Sequence, residues 1–162
     1  MELLDIDIRL IFAILNGKVS AAINRKLTHN FHHAGLNITP EQWTILLYLS
    51  EKDGITQQHL CNATYKDKPG MTRLIDSMER ANMVVRTANK EDRRINQVYL
   101  TRTGREMKEK SQHIAIKTLK ESLRGLGIEE LKISQEVLRK IFNNTKEPAY
   151  SSTKKPREKT EA

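Results

Sequence analysis

The residues best placed to do chemistry here are arginines, and that chemistry is recognition rather than bond-making. Arg73 lies near the start of residues 67–78 (DKPGMTRLIDSM). Their apolar members Met71, Leu74, Ile75 and Met78 recur on one stripe of a 3.6-residue period. The opposite side carries Lys68, Gly70, Thr72, Arg73, Asp76 and Ser77. A convex helix with short polar groups and one Arg near its start suits a DNA major groove. There the helix N-terminus favours phosphate, and a guanidinium pairs bidentately with guanine. Arg93 and Arg94 close a polar tip, residues 88–94, between two β-branched or aromatic runs at 84–87 and 95–100. Such a tip can reach a narrow minor groove. Taken alone, the same residues also fit an ordinary amphipathic helix followed by a solvated loop.

Other chemistries have less support. His29, His32 and His33 stand at i, i+3 and i+4, a spacing that can put two imidazoles on one metal. A site needs further ligands, and only His113 or Glu106 suggest themselves, so surface histidines are the favoured reading. The chain lacks a Gly-rich phosphate loop, a CxxC and an HExxH, so no enzyme and no cofactor are expected. Its single cysteine, Cys61, excludes an internal disulfide framework. The formal net charge of +8 and pI of about 9.6 favour an anionic partner. Residues 146–162 hold +2 of that charge, leaving +6 for the rest. No apolar run is long enough to span a bilayer, and the acid-bearing N-terminus MELLDIDIRLIFAIL makes a poor signal peptide. A cytoplasmic protein is expected.

The surrounding elements are legible from their caps. A long helical pattern runs over about 4–34, with Gly17 as a kink and Gly35 as its end. Its first half is apolar on more than one face and must pack on several partners, a second subunit among them. Thr39-Pro40-Glu41-Gln42 gives a capping box, with Ile38 and Trp43 as its hydrophobic staple, for a central helix over about 40–50. Asp53-Gly54 stops it. Thr56 then caps a short helix to about 64, stapled by Ile55 and Leu60, and the turn at Tyr65-Lys66 leads into the helix that carries Arg73. Two helices joined by so brief a turn form a helix-turn-helix. Thr101 caps a long helix with Met107, Ile114 and Leu123 on one face, and Gly125 and Gly127 break it. A last helix spans about 128–144, and the Pro-, Ser- and charge-rich residues 146–162 are expected to be disordered.

With these motifs in place, the chain resembles the multiple-antibiotic-resistance-regulator (MarR) family of bacterial transcription regulators. The resemblance rests on Gly35-Leu36 with Ile38-Thr39-Pro40-Glu41-Gln42-Trp43, on Gly54-Ile55-Thr56-Gln57 and on Thr72-Arg73-Leu74-Ile75-Asp76-Ser77-Met78-Glu79. It continues through Val84-Val85-Arg86 to Asp92-Arg93-Arg94 and Leu100-Thr101-Arg102-Thr103-Gly104. The wing tip with Asp and Arg, followed by Leu-Thr-x-x-Gly, is its most specific part. The implied fold is mainly α with a small β-hairpin wing. In it a winged helix-turn-helix over 36–100 is flanked by dimerisation helices at 4–34 and 101–144, forming one domain over 1–145.

The resemblance implies a homodimeric regulator, expected to repress, that binds a pseudo-palindromic double-stranded DNA operator. Thr72 and Arg73 then lie on the recognition helix, Asp92 braces the wing through Arg94, and one or both of Arg93 and Arg94 enter the minor groove. Lys66, Lys68, Thr72 and Ser77 are candidate phosphate contacts. The family commonly senses a small effector, aromatic or anionic, in a cleft whose lining here would include Phe31, His32 and Trp43. Trp43 reads first as a core and staple residue. A peroxide-sensing branch uses a cysteine of the first helix, whereas Cys61 falls in the first helix of the helix-turn-helix and reads as a small buried residue. The rival reading is a winged helix that binds proteins, with DNA binding secondary or lost. Such a module would place apolar anchors where this chain has Lys68, Thr72 and Arg73.

Overall fold

The computed structural model describes residues 17–89, 92 and 95–145. The helix expected over 4–16, the side chains of Arg93 and Arg94, and the tail from 146 lie outside the described residues. The chain divides into two compact units, Met1–Ser122 and Leu123–Ala162.

In the first unit the order is α1 (Lys18–His33), α2 (Pro40–Glu51), β1 (Ile55–Thr56), α3 (Gln57–Thr64), α4 (Lys68–Arg80), β2 (Val84–Ala88), β3 (Asn96–Leu100) and α5 (Arg102–Ser122). Helix α1 does not run through Gly17 with a kink. It starts there, because Gly17 takes a left-handed φ of 74°, which an α-helix cannot contain. The capping box of α2 forms as its sequence directs. Thr39 Oγ1 accepts from the Gln42 N–H (3.2 Å), and Gln42 Oε1 accepts from the Thr39 N–H (3.0 Å). Thr56 caps α3 by accepting from the His59 N–H at 3.1 Å.

Ile55 and Thr56 also form a strand, which the sequence does not announce: two residues show no period. The antiparallel sheet has the order β1-β3-β2, with Ile55 opposite Val98, Val84 opposite Leu100 and Ala88 opposite Asn96. The extra strand is fastened by Asp53, whose carboxylate accepts from the Leu100 N–H at 2.9 Å and from Arg105 at 2.5 Å.

The core lies between α1, α2, α3, α4 and the sheet. Phe31, Leu46, Leu60, Met71, Ile75, Met78 and Val98 are fully buried, each worth about 1.5–3 kcal/mol relative to exposure. Helix α5 differs from expectation. Its buried face is Gly104, Ser111, Ala115 and Thr118, with Met107 and Ile114 only partly covered. Small residues bring α1 and α5 close enough for Asn30 Nδ2 to donate to Thr118 Oγ1 at 2.8 Å, beside a Lys26–Glu121 ion pair at 3.0 Å. In the second unit, α6 (Ile128–Thr145) has no buried residue.

Candidate nucleic-acid interface

Helix α4 is built to hold one face still and show the other. Asp67 caps it, accepting from the Gly70 N–H at 3.2 Å, and Pro69 sits in the first turn, where its missing N–H costs no hydrogen bond. Met71, Ile75 and Met78 are fully buried, and Leu74 packs against them. Lys68 and Arg73 are exposed, while Thr72 is half-buried beside them. The turn before α4 is made by Tyr65 in a left-handed conformation, φ 54°.

Two of the expected contact residues are otherwise engaged. Ser77 accepts from Gln42 Nε2 (3.1 Å) and donates to the Leu74 carbonyl (2.7 Å), so its hydroxyl faces α2. Lys66 is held by Glu41 at 3.0 Å. Lys68, Thr72 and Arg73 remain together on the N-terminal half of α4. At the hairpin tip the Asp92 N–H donates to Asn89 Oδ1 (3.3 Å), and the Asp92 carbonyl accepts from the Ile95 N–H (3.0 Å). The expected brace from Asp92 to Arg94 lies outside the described residues.

One residue that positions this site is not singled out by sequence reasoning. Arg86, on β2, donates from Nε and Nη2 to Glu79 Oε2 at 2.9 and 2.6 Å, and from Nη2 to Asp76 Oδ1. Its backbone N–H donates to Glu79 Oε1 at 2.8 Å. Asp76 and Glu79 stand one turn apart on α4, so the wing's first strand is clamped to the recognition helix. The hydrogen bond from the Arg86 side chain holds the Glu79 carboxyl below the ordinary glutamate range, although partial burial opposes it. Bonding to Glu79 likewise raises Arg86. Little signal for it is present in the sequence: Arg73 and Arg80 already stand at i−3 and i+4 from Asp76 on α4, and nothing in the spacing marks Arg86 as the partner.

Phe31 is fully buried and its ring meets Trp43 at 6.3 Å between centroids, whereas His32 is exposed. Phe31 and Trp43 therefore belong to the core, and Phe31 has no surface to offer an effector. A cleft of about 570 Å³ lies instead between α2 and the α3–α4 turn, lined by Glu41, Thr44, Ile45, Tyr65, Lys66 and Leu74 among others. His29 and His33 are exposed, with ring centroids 6.3 Å apart. Among the described residues, no group of three or more His, Cys, Asp or Glu stands close enough to hold a metal ion. Cys61 is buried in α3. No described helix is long and apolar enough to cross a membrane.

A helix-turn-helix followed by a hairpin, with a polar and basic helix face turned outward, defines a winged-helix regulator. Residues 36–95 match the family model of the MarR family, and the chain is similar to that family of transcriptional regulators, which are not enzymes. It is 33% identical over 107 residues to the uncharacterized HTH-type transcriptional regulator YdgJ of Bacillus subtilis (strain 168), covering 66% of this chain and 65% of that protein's length. It is 26% identical over 116 residues to the transcriptional regulator HosA of Escherichia coli, covering 72% and 86%. Among solved structures, AbsC, a MarR family transcriptional regulator from Streptomyces coelicolor, is similar with a TM-score of 0.74 at 25% identity, covering 86% of this chain and 95% of that one.

Proposed function

We propose that this chain is a homodimeric DNA-binding repressor, located in the cytoplasm, that reads a pseudo-palindromic operator. The observation that carries this reading is α4 itself. Its inner face is anchored by Met71, Ile75 and Met78, and its N-terminal outer face presents Lys68, Thr72 and Arg73. In the major groove Arg73 pairs with guanine, while Lys68 and the helix N-terminus take phosphates. Arg93 and Arg94 enter the adjacent minor groove from the hairpin tip. The apolar side chains that α6 leaves exposed, Ile133, Val137, Leu138, Ile141 and Phe142 among them, are covered by a second copy. A two-fold dimer then sets two recognition helices on half-sites about one helical turn apart. A small aromatic acid in the 570 Å³ cleft would compete with Glu41 for Lys66 and shift the turn that leads into α4.

Fluorescence anisotropy on DNA from upstream of the chain's own gene, across a salt series, tests the reading. The wild type is expected to bind at least about tenfold more tightly than to random DNA, a gap of about 1.4 kcal/mol. Affinity should fall steeply with salt, and an Arg73→Ala, Arg94→Ala double variant should lose the preference. Binding that ignores both sequence and the two arginines would refute it. The same assay screens aromatic acids for release of DNA.

A further inference from the structure

We propose that Gln57 is a positioning residue that fixes Thr72 as a hydrogen-bond donor toward a base, so that the pair disfavours cytosine at the contacted position. The inference rests on the operator-reading role proposed above. A threonine inside a helix commonly returns its hydroxyl proton to the carbonyl one turn earlier. Thr28, Thr44, Thr64 and Thr118 all do so, donating to Asn24, Pro40, Leu60 and Ile114 at 2.7–2.9 Å. Thr72 breaks the habit. Its Oγ1 accepts from Gln57 Nε2 at 2.8 Å, and among the described residues its own proton has no acceptor.

Gln57 is the first residue of α3 and reaches across the helix-turn-helix to make this bond. The cost falls on the other end of the same amide. Gln57 Oε1 is buried and, among the described residues, has no hydrogen-bond partner. Such an arrangement spends polar satisfaction to aim one hydroxyl. In the proposed complex a base would lie beside this hydroxyl. Thr72 and Gln57 line an open groove of about 350 Å³ with Lys68 and Asn96, between α3, the start of α4 and the tip end of β3.

The chemistry selects a base class. Gln57 engages one of the two lone pairs of the Thr72 oxygen, so the group left most in need of a partner is its proton. In the major groove guanine offers O6 and N7, adenine N7 and thymine O4 as acceptors, whereas cytosine offers only the N4 amine, a donor. Facing the cytosine amine, the hydroxyl can only accept on its second lone pair, and its proton is left without a partner. With the Gln57 amide reversed, Thr72 would become an acceptor and the preference would invert.

Duplexes selected by the wild type from a random-sequence pool provide the probe. Each position is then changed singly and binding is compared for the wild type, Thr72→Val, Gln57→Leu and Gln57→Glu. For the wild type, cytosine at one symmetry-related position per half-site is expected to weaken binding about tenfold. Thr72→Val and Gln57→Leu should flatten the preference there and leave other positions unchanged. Gln57→Glu can only accept from Thr72, so it should turn the preference toward cytosine or adenine amines. Wild-type profiles in all three variants, or a wild-type preference for cytosine at the affected position, would overturn the role of Gln57 and leave the operator reading standing. A wild type with no sequence preference anywhere would overturn both.

Discussion

Gly104→Ala is expected to destabilise the protein by about 3 kcal/mol, the upper part of the range for overpacking a close contact. For a chain of this size that corresponds to a fall of roughly 6–12 °C in Tm. The cause is the approach of the first turn of α5 to the start of β2. A Cβ at position 104 would run into the Met83 carbonyl oxygen and stand 3.0 Å from the Met83 carbonyl carbon and 3.2 Å from Leu100 Cδ2. The obstruction is backbone and cannot rotate away. The same carbonyl already accepts from the Thr101 N–H at 3.1 Å. Thr101 in turn donates its hydroxyl to the Asn82 carbonyl (2.6 Å) and caps α5 by accepting from the Gly104 N–H (3.0 Å). Leu-Thr-x-x-Gly is thus a clasp that closes α5 onto the end of the α4–β2 connection. Alanine is otherwise favoured over glycine in a helix by about 1 kcal/mol, so the contact alone decides the sign. Thermal unfolding at fixed protein concentration measures it. Unchanged or raised stability in Gly104→Ala would refute the clasp.

Arg86→Met is expected to cost about 1–2 kcal/mol of stability, after allowance for water reaching the two carboxylates, and to weaken operator binding at least about tenfold. It removes one guanidinium and leaves Asp76 and Glu79 near each other on α4 without their partner. Helix and wing then lose the fixed spacing that two adjacent grooves demand. The pH dependence carries the signature. Glu79 is lowered in the folded state, so its contribution is fully present above the ordinary glutamate range, about 4.3. That contribution is lost as pH falls through the lower folded value. Arg86 is raised, so its share disappears only as pH rises through that raised value, far above any working pH. Wild-type stability should therefore decline more steeply on the acid side than that of Arg86→Met. Denaturant midpoints from pH 7 down to about 3, spanning the carboxylate range, would show it. Parallel acid limbs would mean that the Arg86–Glu79 bond adds no stability.

The parts of this fold that were legible in the sequence are those fixed by neighbours in the chain. The capping box at Thr39–Gln42, the Thr56 and Thr101 caps and the Met71–Met78 stripe all depend on residues within a turn or two. They formed where their spacing placed them. What was illegible depends on distant partners or on conformation. Strand β1 is two residues long and exists because β3 offers it an edge. The buried face of α5 is made of Ser111, Ala115 and Thr118, whose types give no apolar signal. Counting Ser77 as an outer-face residue was correct in helical phase but blind to Gln42, thirty-five positions away, which claims its hydroxyl. The Arg86 clamp and the Gln57–Thr72 bond escaped for the same reason. Gly17 shows the converse case, where a glycine fits either a kink or a helix start and only φ decides.

Methylation protection on a duplex selected by the wild-type protein tests the central claim most directly, because dimethyl sulfate reports guanine N7 in the major groove and adenine N3 in the minor groove. If α4 and the hairpin tip of two subunits grip DNA as proposed, guanine protection should occur in two patches about one helical turn apart, on one face of the duplex. Adenine protection should flank each patch, and Arg73→Ala should erase the guanine pattern. A single patch, or binding with no protected guanine, would contradict a dimer that reads DNA through α4.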